Sequence, residues 1–151
     1  MLLKNLIKNS PKSIKNLNIK GLALNSREVK RGYIFFAVKG NNSNGENYIS
    51  EAIKNGAIII ICSDKCKFKS KKVYLIKTKK VRSYLAEIAS KFYRLKPKNI
   101  IAVTGTNGKT SIADFFHQIF VLNKKPVGLI GTLGFKKNNI LKKETLLLQI
   151  Q

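Results

Sequence analysis

Apolar residues fall in two rhythms along this chain. Short unbroken runs occupy positions 33–38 (Tyr-Ile-Phe-Phe-Ala-Val) and 57–62 (Ala-Ile-Ile-Ile-Ile-Cys). Runs of that length, bounded by polar residues and glycines, predict strands covered on both faces. Shorter apolar segments at 19–24, 73–76, 100–104 and 127–130 predict further strands. Between them the spacing turns helical. Val81, Tyr84, Leu85, Ile88, Ala89 and Phe92 follow the i, i+3, i+4, i+7 pattern and predict an amphipathic helix over 81–93. Tyr48, Ile49, Ala52 and Ile53 predict one over 48–55, stopped by Gly56. Ile112, Phe115, Phe116, Ile119 and Phe120 predict a third, facing a core and ending at Lys124-Lys125-Pro126. Positions 29–32 form a turn, and 41–47, rich in Asn, Ser and Gly, a loop. From Phe135 the pattern weakens, and 136–139 reads as a turn.

Alternating strands and helices define an α/β class. The strand–helix–strand succession over 100–130 implies a parallel pair with a right-handed crossover. Lys96-Pro97-Lys98 breaks the chain and divides it into a domain at 1–97 and a second at 98–151. The second, with two strands and a half-covered helix, is expected to be incomplete, because its sheet edge and helix face lack partners.

Composition narrows the picture. Apolar residues make up 44% of the 151, which predicts a packed core and not a disordered chain. No apolar run approaches a membrane span. The first ten residues have no cleavage site of the secretory kind, which points to the cytoplasm. Thirty Lys and Arg against seven Asp and Glu give a net charge of +23, a balance that attracts polyanions. The lysines are spread along the chain beside many Asn and Ile, as A/T-rich coding alone would produce. Their densest run, 65–72, lacks the interleaved aromatics of a single-strand-binding face. No specific nucleic-acid partner is expected. Cys62 and Cys66 have no second pair and no histidine near them, so they are read as free thiols, Cys62 buried at a strand end and Cys66 in the lysine loop. His117 sits between apolar helix positions and is read as packed or solvated, not catalytic.

The chemistry concentrates in Gly105, Thr106, Asn107, Gly108, Lys109, Thr110 and Ser111. A glycine turn leading into a helix leaves backbone N–H groups and the positive helix end aimed at one place, which suits a phosphate. Lys109 adds a point charge, and the Thr110 hydroxyl can reach a magnesium ion. The general phosphate-loop pattern has an earlier glycine, where this chain has Val103.

Four blocks resemble the Mur ligase family, the ATP-dependent enzymes that build the peptide of the bacterial cell-wall precursor. They are Asn25-Ser26-Arg27 with the following strand to Ala37, Asn44-Gly45-Glu46-Asn47-Tyr48-Ile49 after Lys39-Gly40, Ala52 to Ala57, and Thr104 to Ser111. The family's own phosphate loop also lacks the early glycine. Gly128-Leu129-Ile130-Gly131-Thr132-Leu133-Gly134 is similar to the branch that adds the third peptide residue. Thr106 stands where the branch adding D-Ala-D-Ala usually has Ser.

The resemblance implies a small N-terminal α/β domain that binds the UDP part of UDP-N-acetylmuramoyl-dipeptide, followed by the start of a parallel-sheet ATPase domain. It implies that Leu24 and Ser26 contact uracil or its ribose, and that Asn41, Asn42 and Ser43 form the adjoining nucleotide-contact loop. Gly105 to Ser111 would cradle ATP, with Thr110 as a Mg2+ ligand. The implied reaction activates a carboxylate with ATP and joins it to an amine of meso-diaminopimelate or L-lysine. Three departures stand out. Asn25 replaces an Asp, Glu46-Asn47 alters the second block, and Glu144-Thr145-Leu146-Leu147-Leu148 stands where an Asn-Thr-Thr-Pro-like motif is expected. No catalytic set is complete, so the chain is expected to be inactive in ligation alone, with a C-terminal part supplied elsewhere. The alternatives are a stand-alone UDP-sugar or nucleotide-binding module, or a fragment of a D-Ala-D-Ala-adding ligase.

Overall fold

A computed structural model describes residues 1–8, 10–40, 43–132, 134–137 and 140–142. Asn41, Asn42, Leu133 and the segment from Glu144 on, all singled out in the sequence, lie outside the described residues. The chain separates into two compact units, Met1–Leu95 and Lys96–Gln151.

The first unit is built on a four-stranded parallel sheet in the order β1-β2-β3-β4. Its strands are β1 (Gly21–Ala23), β2 (Tyr33–Phe36), β3 (Ala57–Ser63) and β4 (Tyr74–Thr78). In β3, Ile59, Ile60, Ile61 and Cys62 are all fully buried, as are Ile34, Phe35 and Phe36 in β2. Successive side chains point to opposite faces of a strand, so consecutive full burial means that the sheet is covered on both sides. That is why these strands read as unbroken apolar runs.

Three helices serve the sheet: α1 (Leu3–Leu6), α2 (Ile49–Lys54) and α3 (Val81–Phe92). α2 buries Ile49 and Ala52 but leaves Tyr48 at its start exposed; α3 buries Leu85 and Ile88. α2 and α3 each pack on β3, and α1 packs on α3. The stop after α2 is steric as well as conformational. Gly56 has φ +106, and a Cβ there would lie 2.8 Å from Arg31 Cα. Its carbonyl also accepts from the Gly32 N–H at 3.0 Å. A side chain would face left-handed strain and a clash together.

The first 19 residues carry core that the pattern did not assign. Leu3, Leu6, Ile14 and Ile19 are essentially fully buried. The segment folds back on itself through the Leu3 N–H to Leu17 O and Ile19 N–H to Met1 O bonds, and Lys91 Nζ donates to Leu6 O at 3.1 Å. Cys66 is also buried despite its lysine-rich surroundings, and both thiols are free. Burial first, then the hydrogen bond with Cys66, pushes the Cys62 thiol up to about 12. Little Cys62 thiolate forms at neutral pH, so that thiol is chemically quiet.

The second unit contains α4 (Lys109–Leu122) and an antiparallel sheet of β5 (Gly128–Gly131), β6 (Gly134–Lys137) and β7 (Ile140–Lys142). Several expectations are corrected here. Residues 100–104 form no strand; Ile100 is 81% and Ile101 62% exposed. A strand needs a hydrogen-bonded neighbour, and none of the described strands takes this segment. β5 pairs antiparallel with β6, in register Ile130↔Phe135, and not parallel with 100–104. The apolar stripe of α4 is uncovered as well. Ile112, Phe115 and Ile119 are more than half exposed, Phe116 is 36% exposed, and Phe120 is half-buried. The buried residue on α4 is His117, and Lys136 of β6 bridges to Asp114 at 2.7 Å. The segment read as a turn at 136–139 begins within β6.

Candidate nucleotide-binding site

Parallel strands bring the loops after their carboxyl ends to one edge, which is where ligands bind in open α/β sheets. In the first unit the segment after β1 carries Leu24, Asn25 and Ser26, and the segment after neighbouring β2 carries Gly40 and Ser43. Leu24 is half-buried and Ser43 exposed. The Gly40 N–H donates to Ser43 O at 2.8 Å, and the backbones of Lys39 and Asn44 form an antiparallel bridge, so the described ends of this second segment are held together.

Ser26 opens a 3-10 turn, Ser26–Glu28, capped by Asn25, whose side-chain oxygen accepts from the Arg27 N–H at 3.1 Å. An amide oxygen does this as a carboxylate would, so the exchange of Asp for Asn keeps the cap and loses only the charge. Ser26 itself is buried, with 4% exposed, and its hydroxyl donates to Glu51 Oε2 at 2.5 Å. Asn55 Nδ2 donates to the Ser26 carbonyl at 2.8 Å. Sequence reasoning missed both partners. The only signal was their separation of four on one helix, which also describes any pair of surface residues. Glu46, the other departure, accepts from the Ser63 N–H at 3.2 Å and ties the turn after β2 to the end of β3.

In the second unit, Gly105 (φ +146) and Gly108 (φ +75) take backbone conformations that disfavour side chains. Gly108 stands at the N-cap of α4 and brings no side-chain acceptor, so no side chain there takes up the first-turn N–H donors. Lys109 Nζ curls back to donate to Gly105 O and to Thr106 O, the latter at 3.0 Å. Those two carbonyls are its only hydrogen-bond partners among the described residues, and no carboxylate there pairs with it. Residues 104–111 are all exposed. An anion at this helix end would meet free N–H groups, the dipole and a mobile ammonium together, so the loop fits a phosphate. Thr110 stands exposed in the first turn of α4. Among the described residues no group of three or more His, Cys, Asp or Glu side chains gathers to hold a metal ion.

His117, about two turns along the same helix, is 1% exposed, and neither ring nitrogen has a hydrogen-bond partner among the described residues. Burial lowers its pKa below 6.5, and the Lys136 ammonium lowers it further, against a smaller opposing pull from Asp114. In the unfolded chain the imidazole titrates near 6.5. As pH falls through about 6.5, the unfolded state takes up a proton that the folded state refuses, so stability of the second unit falls. Asp114, held below 3.8 by its hydrogen bonds to Lys136 and Gln118, contributes only at more acid pH. Once the intrinsic pH dependence of exchange is divided out, amide protection along α4 should therefore fall between pH 7.5 and 5.5, and His117→Leu should abolish that fall. An unchanged pH profile in the variant would count against a buried neutral imidazole.

The structure therefore defines an α/β protein that presents an exposed Gly-Lys-Thr loop at the head of a helix. Comparisons with known proteins place it more narrowly. The profile of the Mur ligase family, catalytic domain, matches residues 18–93, and that of the Mur ligase middle domain matches 103–150. The chain belongs to the Mur ligase family. The UDP-N-acetylmuramoyl-L-alanyl-D-glutamate--2,6-diaminopimelate ligase of Rickettsia prowazekii (strain Madrid E) is 43% identical over 130 residues, covering 84% of this chain and 27% of the relative. The enzyme of that name from Clostridioides difficile (strain 630) is 41% identical over 120 residues, covering 78% and 24%. Among solved structures, MurF ligase from Thermotoga maritima in complex with ADP is 32% identical, with a TM-score of 0.55, over 74% of this chain and 25% of that one. A structure of a 2,6-diaminopimelate ligase shares the fold at a TM-score of 0.71 and 23% identity, over 97% of this chain and 31% of that one. The chain spans about a quarter of the length of the curated relatives it matches.

Proposed function

We propose that this chain forms the nucleotide-substrate and phosphate-binding part of an ATP-dependent ligase that adds the third peptide residue to UDP-N-acetylmuramoyl-L-alanyl-D-glutamate in the cytoplasm. The names of its relatives favour 2,6-diaminopimelate as the incoming amine. The observation that carries the reading is Lys109, folded over the Gly105 and Thr106 carbonyls at the start of α4, where Gly108 brings no side-chain cap. On this reading, residues 1–97 hold the UDP moiety through Leu24, Ser26, Asn41, Asn42 and Ser43. Residues 98–151 contribute the loop from Gly105 to Ser111 to an ATP site.

The reaction needs charge neutralised as a phosphoryl group passes to a carboxylate, before an amine displaces it to form the amide. Lys109 and the first-turn N–H groups of α4 supply donors at the phosphates, and the Thr110 hydroxyl supplies one ligand to Mg2+. The acidic metal ligands and the layer that would cover α4 come, on this proposal, from polypeptide equivalent to the rest of the relatives.

The test is turnover by residues 1–151 alone. With ATP, magnesium, the UDP-linked dipeptide and diaminopimelate, phosphate release is expected to stay at background while ATP and UDP-linked ligand still bind. Robust ligation would overturn the division of labour. Absence of any binding would overturn both site assignments.

A further inference from the structure

We propose that Glu51 makes the base site of the first unit selective for uracil, by fixing the direction in which Ser26 can hydrogen-bond. This rests on the reading of Ser26 as a contact to the UDP moiety given above, and narrows that contact to the base. A serine hydroxyl has one proton and two lone pairs, and an ionised carboxylate can only accept. The 2.5 Å bond from Ser26 Oγ to Glu51 Oε2 therefore commits the single proton to Glu51. What Oγ retains for a ligand is its lone pairs. A hydrogen bond to a carboxylate is among the stronger kinds and is not readily exchanged for a neutral one.

The main chain of Ser26 is held as well. Its carbonyl accepts from Asn55 Nδ2 at 2.8 Å and from the Val29 N–H at 3.3 Å. Glu51 and Asn55 stand one helical turn apart on and just after α2, so they grip the same residue from the same side. Ser26 has little freedom to turn its hydroxyl toward a different ligand. Glu51 is thus a positioning residue that acts through Ser26.

The bases differ at the atom that matters. Uracil N3 carries a hydrogen and donates; cytosine N3 carries a lone pair and accepts. A hydroxyl left as acceptor pairs with the first and sets lone pair against lone pair with the second. A polar site rejects the ligand that leaves its buried atom unpaired. The net charge of the chain cannot make this distinction, because UDP and CDP carry the same diphosphate.

Titration of the isotopically labelled full chain with UDP and with CDP tests the idea, reading amide shifts from Leu24 to Glu28. Amides from Gly105 to Ser111 report any diphosphate bound at the phosphate loop and are read separately. Wild type is expected to bind UDP about tenfold more tightly than CDP at the first segment. Glu51→Ala frees the hydroxyl to rotate, so the ratio should fall toward one while the tyrosine signal shows the unit still folded. Glu51→Gln, whose amide oxygen can accept the same proton, should keep most of the preference. An unchanged ratio in Glu51→Ala would overturn the role of Glu51 and leave the uracil site standing. Equal affinity of wild type for both ligands, or no response at these amides to either, would overturn both.

Discussion

Lys109→Ala is expected to weaken ATP binding by the second unit about thirtyfold or more, the equivalent of losing one charge-assisted hydrogen bond of roughly 2 kcal/mol. No other Lys or Arg lies between Gly105 and Ser111, so no neighbour in the loop takes over. The carbonyls of Gly105 and Thr106 that the ammonium now contacts belong to exposed residues and turn to water. The loss should thus appear in phosphate affinity and not in folding. Calorimetry must be run over a range of salt, because a chain of net charge +23 holds any polyanion weakly at low ionic strength, and screening removes that background. Equal affinity of variant and wild type at 0.15 M salt would remove Lys109 from the site.

Phe35→Ala is expected to destabilise the first unit by about 3–5 kcal/mol, the usual range for truncating a fully buried aromatic residue. Phe35 is fully buried on β2, paired to Ala23 on one side and Ile60 on the other. That loss is a large share of the stability of a small domain, on the order of 5–15 kcal/mol. Phe115→Ala provides the contrast. It removes the same ring from α4, where it is 63% exposed, and should leave stability nearly unchanged. Urea unfolding followed by tyrosine fluorescence reads the first variant cleanly, because all five tyrosines lie at or before Tyr93 and there is no tryptophan. A loss below about 1 kcal/mol for Phe35→Ala would contradict the burial described for β2.

These two phenylalanines also show how far the sequence could be read. The unbroken runs of β2 and β3 and the spacing of α3 carried enough apolar signal to place them within a residue or two. Their partners lie within the same unit, so local pattern and tertiary setting agree. Phe115 and the segment at 100–104 carried equally strong signals, yet neither is packed. An apolar stripe states what a residue prefers and not whether a partner layer is present. The hook of Leu3, Leu6 and Ile14 failed in the opposite way. Its apolar residues are scattered among lysines and asparagines, and only the fold brings them together. The phosphate loop was legible because glycine and lysine there do local work. The hold of Glu51 and Asn55 on Ser26 was not, because it spans 25 to 29 residues of sequence and uses residue types found on any helix surface.

The bare stripe on α4 also decides how this chain behaves as a solute. Ile112, Phe115, Ile119 and Leu122, at 57%, 63%, 55% and 80% exposure, form an adhesive strip that by itself favours association between molecules. The charge of +23 opposes this, since every encounter brings two strongly cationic bodies together. The two effects respond oppositely to electrolyte. Salt shortens the reach of the repulsion, to roughly 8 Å at physiological ionic strength, and leaves the apolar attraction intact. The chain is then colloidally stable in dilute buffer and increasingly prone to cluster as salt is added, the reverse of the salting-in familiar for proteins held together by attraction between opposite charges.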